Sequence, residues 1–130
     1  MTPKLRRLAN AIVEFEGWKS GAPLENVQST MSITWRNHNP GALRSSPFQA
    51  GKRDDFAYFM DDEIGYFALL YDLWIKCSGK SATGLTKEST LWEMIKVYSA
   101  EPENIVNQYV RFLESRTGLK ADTKISNILK

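Results

Sequence analysis

Trp35-Arg36-Asn37-His38-Asn39-Pro40-Gly41-Ala42-Leu43-Arg44 is the stretch on which the fold of this chain turns. It holds the only histidine of the sequence, two asparagines and a Pro-Gly pair, set between arginines. Pro40-Gly41 fits the middle of a type II turn, in which Pro fixes the first φ and Gly supplies the positive second one. The short amides of Asn37 and Asn39 suit bonds to local backbone or to a ligand. Asn-Pro-Gly alone makes a turn. A bare turn does not require Arg36, His38 and Arg44 as well, so the stretch is also a candidate binding wall.

Working outward toward the N-terminus, residues 3–16 predict a helix, with Thr2 as its cap and Pro3 in its first turn. At roughly 100° per residue, Leu5, Leu8, Ala9 and Ile12 form one stripe, and Glu16 falls within roughly 40° of Leu5, Ala9 and Ile12. Glu14 points to the other side with Arg7 and Asn10, and Gly17 is a natural stop. A carboxylate on an apolar stripe is costly unless it is paired or protonated. Desolvation raises the pKa of such a carboxyl and fits it to donate a proton near neutral pH. The plainer alternative is an edge-of-core Glu held by an arginine. Residues 19–24 read as a loop, the run up to Ser32 as loop or short irregular helix, and residues 32–35 as a short strand.

Toward the C-terminus, residues 45–52 read as a loop and residues 55–60 as a strand carrying Phe56, Tyr58 and Phe59. Asp61 or Asp62 caps a long helix to about Cys77, with Ile64, Phe67, Ala68, Tyr71, Trp74 and Ile75 as its core face. Residues 78–86 form a flexible connector with Gly79 and Gly84. Thr90 and Glu93 make a capping box that opens a helix to about Ser99, with Leu91, Met94, Ile95 and Tyr98 on one side. Glu101-Pro102 breaks it. Residues 103–117 form a further helix with Val106, Tyr109, Val110 and Leu113 inward, ended by Gly118. A short helix from Asp122 or Thr123 buries Ile125, Ile128 and Leu129. The expected fold class is mainly α (α+β), a helical domain with a small irregular β-element in its first half.

The 130 residues suit one domain over 1–130, and 42% apolar with 25% charged residues is a globular balance. The apolar run at residues 67–75 is interrupted by Asp72, so no membrane insertion is expected. The N-terminus lacks a signal-peptide pattern, so synthesis in a reducing cytoplasm is expected. Cys77 is the only cysteine, which excludes an internal disulfide. One His and one Cys do not make a usual zinc site, no phosphate loop is present, and no cofactor is expected. Cys77 with His38 as its base is conceivable as a nucleophilic pair, but Cys77 sits in an apolar helix and reads as a buried structural thiol. A net charge of +2 is too small to argue for nucleic acid.

Glu16-Gly17-Trp18, the block from Arg36 to Arg44, Phe56-Ala57-Tyr58-Phe59 and Ile64-Gly65 together resemble a peptidoglycan-cleaving family of lysozyme-fold domains, often phage-borne and often lytic transglycosylases. Tyr98, Glu103-Asn104 and Tyr109 resemble the family's C-terminal Tyr–loop–Asn–Tyr pattern. The resemblance implies a lysozyme-like domain with Glu16 as catalytic acid. It implies substrate contacts at Arg36, Asn37, His38, Asn39, Gly41, Phe59, Tyr98 and Tyr109. Two positions depart from the pattern: His38 stands where Asn is expected, and Ala42 where Asn is common. Glycoside hydrolysis commonly needs a second carboxylate, and Asp54, Asp55, Asp61, Asp62 and Glu25 include none with a decisive context. The resemblance implies a route that needs only one Glu, a lyase reaction yielding 1,6-anhydro-N-acetylmuramic acid. A hydrolytic muramidase, a glycan-binding module without activity and a Cys–His hydrolase stand as alternatives. The implied partner is the peptidoglycan glycan strand, met by a monomer released through a holin-type lesion or carried in a virion.

Overall fold

The computed structural model of the chain describes residues 2–17 and 33–130. It is mainly helical, with one two-stranded antiparallel sheet in the first half, as the patterning predicts. In chain order the elements are α1 (Pro3–Phe15), α2 (Ile33–Arg36), β1 (Gly51–Arg53), β2 (Phe56–Tyr58), α3 (Asp62–Cys77), α4 (Leu91–Ser99), α5 (Glu103–Thr117) and a 3-10 helix (Ile125–Leu129). The chain packs as two compact units. The first comprises Met1–Ala11 and Leu73–Lys130, the second Ile12–Asp72.

In the first unit, α4 and α5 pack on each other through Leu91, Met94, Ile95, Val106, Val110 and Leu113, all buried. The capping box is formed: Thr90 Oγ1 accepts the Glu93 N–H at 3.2 Å, and Glu93 Oε1 accepts the Thr90 N–H at 2.9 Å. Two further N–H groups in the first turn of α4 would otherwise be orphaned. The C-terminal segment supplies their acceptors: Leu91 N–H donates to Thr123 O at 2.9 Å and Trp92 N–H to Ala121 O at 3.0 Å. An isolated bridge between Thr90 and Lys124 continues this pairing. The Lys124 ammonium, hydrogen-bonded at 2.7 Å, holds the Glu88 carboxyl below its usual pKa. Gly118 takes φ 78 and ends α5, and Ala100 takes φ 55 after α4. The expected last helix is the 3-10 turn at Ile125–Leu129, starting later than residues 122–123 because 123–124 pair with α4. Its Ile125 and Ile128 are buried and Leu129 only half-buried.

In α1 Thr2 does cap, its Oγ1 accepting the Leu5 N–H at 3.2 Å. Leu5, Leu8, Ala9, Ala11 and Ile12 are buried, while Arg7, Asn10 and Glu14 are exposed. The 78–86 connector is tied down by Lys80 N–H to Ile75 O at 3.0 Å and by Ser78 Oγ to Trp74 O at 2.8 Å. No helix among the described residues is long and apolar enough to cross a membrane.

Four expectations over residues 33–77 need correction. Of residues 32–35, expected as strand, Ser32 lies outside the described residues and 33–35 fall in the helical turn Ile33–Arg36, after which Thr34 O and Trp35 O accept the Asn39 and His38 N–H groups. The expected loop at 45–52 ends in a strand: β1 pairs antiparallel with β2, Arg53 opposite Phe56 and Gly51 opposite Tyr58. Asp54 and Asp55 join them with φ 52 and 67, two successive positive values of the kind a tight two-residue hairpin needs. The expected strand at 55–60 shrinks accordingly to three residues. The core face of α3 is Ala68, Leu69, Leu70, Leu73 and Cys77; Ile64 and Phe67 are exposed instead.

Candidate functional site

Glu16 follows the last residue of α1, and its N–H still donates to Ile12 O at 2.9 Å. Gly17 then turns the chain at φ 80, with its N–H on Glu14 O at 3.1 Å. That left-handed step is cheap for glycine. It leaves Glu16 half-buried while Glu14 faces solvent, the contrast the helical spacing predicts. Trp18, Glu25, the 19–24 loop and the run up to Ser32 lie outside the described residues.

The stretch from Arg36 to Arg44 forms a strap fastened by its own amides. Asn39 is 1% exposed. Its Nδ2 donates to Leu43 O at 2.8 Å and Ala57 O at 2.9 Å, and its Oδ1 accepts the Leu43 N–H at 2.9 Å. Asn37 is fully buried, and its Nδ2 reaches Arg53 O at 3.2 Å and Ala57 O at 3.3 Å. Two backbone bonds complete the seam, Ala57 N–H to Leu43 O at 3.0 Å and Phe59 N–H to Asn37 O at 2.9 Å. The strap thus docks on the hairpin through side-chain amides that stand in for a missing strand.

The turn within the strap is not type II. Ala42 N–H does donate to Asn39 O at 3.0 Å across Pro40-Gly41. Gly41, however, does not take a positive φ; the left-handed residues are His38 at φ 50 and Ala42 at φ 53. These are the two positions at which the resemblance leads one to expect Asn. Asn is the residue other than glycine that tolerates this region best. The strap thus holds two left-handed residues that are neither Asn nor Gly.

His38 finds a partner in Asp62, its ring Nδ1 lying 2.7 Å from Asp62 Oδ1 with both side chains nearly half exposed. Of the two adjacent acids only Asp61 caps α3, its Oδ1 accepting the Ile64 N–H at 2.9 Å. Gly65 carries the other contact of the strap with α3. A Cβ there would strike the His38 carbonyl oxygen and come within 3.0 Å of the Pro40 ring. The strap backbone lies directly against this glycine. Arg36 Nη2 pairs with Asp54 Oδ2 at 2.9 Å on the surface, an exposed pair of small energetic value. Buried Arg36 Nε and Asn37 Oδ1 have no hydrogen-bond partner among the described residues.

The expected contact residues divide. Arg36 and His38 offer exposed polar atoms in the second unit. Asn37, Asn39, Gly41 and Phe59 are buried; the Asn39 amide is spent on backbone at both ends, and the Asn37 amide through its Nδ2. They position the strap and present no amide to solvent. Tyr98 and Tyr109 belong to the first unit. Tyr98 is half-buried with the Lys76 ammonium 5.7 Å above its ring, and Tyr109 is a core residue at 1% exposure. Cys77 is buried with its Sγ 3.8 Å from Met94 Sδ, a packing contact. The pairing of His38 with Asp62 was not anticipated; the signal was two adjacent acids before a helix, of which one suffices as cap.

The hairpin also shows a basic face. Arg53 lies 4.2 Å over the Tyr58 ring and Arg44 4.7 Å over that of Phe56. The Tyr58 ring covers Gly51, where a Cβ would come within 2.6 Å of a ring carbon. Among the described residues no cluster of three His, Cys, Asp or Glu side chains could hold a metal ion. Comparison with protein-family models, with curated proteins and with solved structures returns no match.

Proposed function

We propose that this chain cleaves the bond between N-acetylmuramic acid and N-acetylglucosamine in bacterial peptidoglycan, with Glu16 as its single acid and base. The observation that supports this reading is the half-buried Glu16 at the end of α1, in the same compact unit as the hydrogen-bonded strap. Glu16 donates its proton to the bridging oxygen as the C1–O bond breaks, and the N-acetylglucosamine end leaves as an alcohol. The Glu16 carboxylate then takes the proton of the muramic acid 6-hydroxyl as that oxygen bonds to C1. The product is a 1,6-anhydro ring, no water is consumed, and Glu16 returns to its starting form. On this reading residues 1–130 act as a single, monomeric, lysozyme-like catalytic domain on the cell wall, and Arg36 and His38 meet the glycan.

Clearing of a purified cell-wall suspension tests it. Glu16→Gln is expected to lower the rate by about a hundredfold or more, the usual scale of a general acid. Wild-type rate in that variant overturns the assignment. Product analysis separates the lyase from a hydrolytic muramidase: anhydro-muramic ends mean lyase, reducing muramic ends mean hydrolase.

A further inference from the structure

Trp92, Asn107, Val110, Arg111, Glu114 and Ala121, all of the first unit, line a groove of about 310 Å3. That volume lies at the small end of the range for ligand sites. Its polar walls are already held in place. The Trp92 indole Nε1–H donates to Asn107 Oδ1 at 2.8 Å, which fixes the indole and turns the Asn107 amide so that its Nδ2 hydrogens remain to be used. Glu114 Oε2 accepts the Ala121 N–H at 2.9 Å, which holds the carboxylate and leaves Oε1 as an acceptor. Lys96, 5.8 Å over the Trp92 ring, steadies it further by cation–π attraction. Arg111 is exposed, and its guanidinium pairs with no described carboxylate.

The groove therefore offers donors at 107 and 111, an acceptor at 114, and apolar surface at Trp92, Val110 and Ala121. A phosphate would meet the Glu114 carboxylate. A wholly apolar ligand would desolvate Arg111 and Asn107 without compensation. The chemistry that satisfies all of these is a neutral ring with hydroxyls at its edge, each both donor and acceptor, and C–H groups on its face. We infer that this groove is a saccharide-binding site. That the sugar is an N-acetylhexosamine of a glycan strand rests on the proposed function.

The test uses the full chain carrying Glu16→Gln, labelled with 15N, titrated with the N-acetylglucosamine tetramer. The Trp92 indole N–H signal is identified by its loss in Trp92→Phe. It is expected to shift and saturate, and Arg111→Ala should weaken the apparent affinity at least about fivefold. Because Arg111 is exposed, that variant should keep the wild-type thermal midpoint. A Trp92 signal that stays still up to about 10 mM tetramer overturns the inference. So does an Arg111→Ala variant that binds as tightly as its parent. The two proposals fail separately. Cell walls cleared by a protein with a silent Trp92 remove the groove alone. A responsive Trp92 in a protein that never clears walls removes the enzymatic reading and leaves a saccharide binder.

Discussion

The strap at residues 36–44 and the α4–α5 pair both bury side chains, yet by different forces. Between α4 and α5 the buried groups are Met94, Ile95, Val106, Val110 and Leu113, and what holds them is apolar area removed from water. In the strap the buried groups include two amides, and what holds them is a set of directed bonds to Leu43, Arg53 and Ala57. Apolar burial has no direction and tolerates a change of shape at constant volume. A buried amide has no such latitude, because a lost partner leaves a backbone donor or acceptor stranded.

The largest expected effect separates the two mechanisms. Asn39→Leu keeps the branching and the number of side-chain heavy atoms but removes three bonds, stranding the Leu43 N–H, and should destabilise by about 3 kcal/mol or more. Leu113→Met, an equally conservative change in α5, should cost less than about 1.5 kcal/mol. Urea midpoints of the two variants check this. Equal losses would mean that the strap is held by packing after all.

The same contrast explains what was legible beforehand. The helices at 3–15, 91–99 and 103–117 follow from period and caps, since Thr2, Thr90 with Glu93, and Gly118 act locally and need no knowledge of the fold. The hairpin did not. Gly51-Lys52-Arg53 has no β-branched residue, and Asp54-Asp55 is not a usual hairpin pair, so the pairing rests on tertiary context. The buried face of α3 differs from the expected one because that helix is apolar almost all round, and periodicity alone does not choose between Phe67 and Leu69. At the candidate site, the half-burial of Glu16 was visible as helical spacing. The duty of Asn37 and Asn39 was not, since an amide suited to a ligand is equally suited to a backbone carbonyl.

Gly65 gives a second, smaller separation. Gly65→Ala should cost about 2 kcal/mol, because the His38 carbonyl it would strike is backbone anchored on both sides. Gly118→Ala, at the end of α5, meets nothing within 4 Å and takes only the left-handed φ of 78, so about 1 kcal/mol is expected. A Gly65→Ala loss no larger than the Gly118→Ala loss would show that strap and α3 slide apart readily. The same variant should then shift the His38 ring signal in NMR, because that ring pairs with Asp62 of α3.

The smallest effect is a gain, and it compares the same residue in both settings. Ala42 in the strap and Ala100 after α4 are alanines with φ 53 and 55. Alanine in this region carries a local steric penalty that glycine lacks, partly offset by the greater freedom of glycine in the unfolded chain. Each change to glycine should therefore raise stability by about 0.5 kcal/mol, or about 2 °C in thermal midpoint. Ala100 is exposed and reports the backbone strain by itself, whereas Ala42 is half-buried. If Ala100→Gly gains and Ala42→Gly loses, the Ala42 methyl is packing in the strap, and apolar burial there is larger than the hydrogen bonds suggest. If both gain alike, the strap carries the strain of a residue its backbone does not favour, and the directed bonds of Asn37 and Asn39 are what outweigh it.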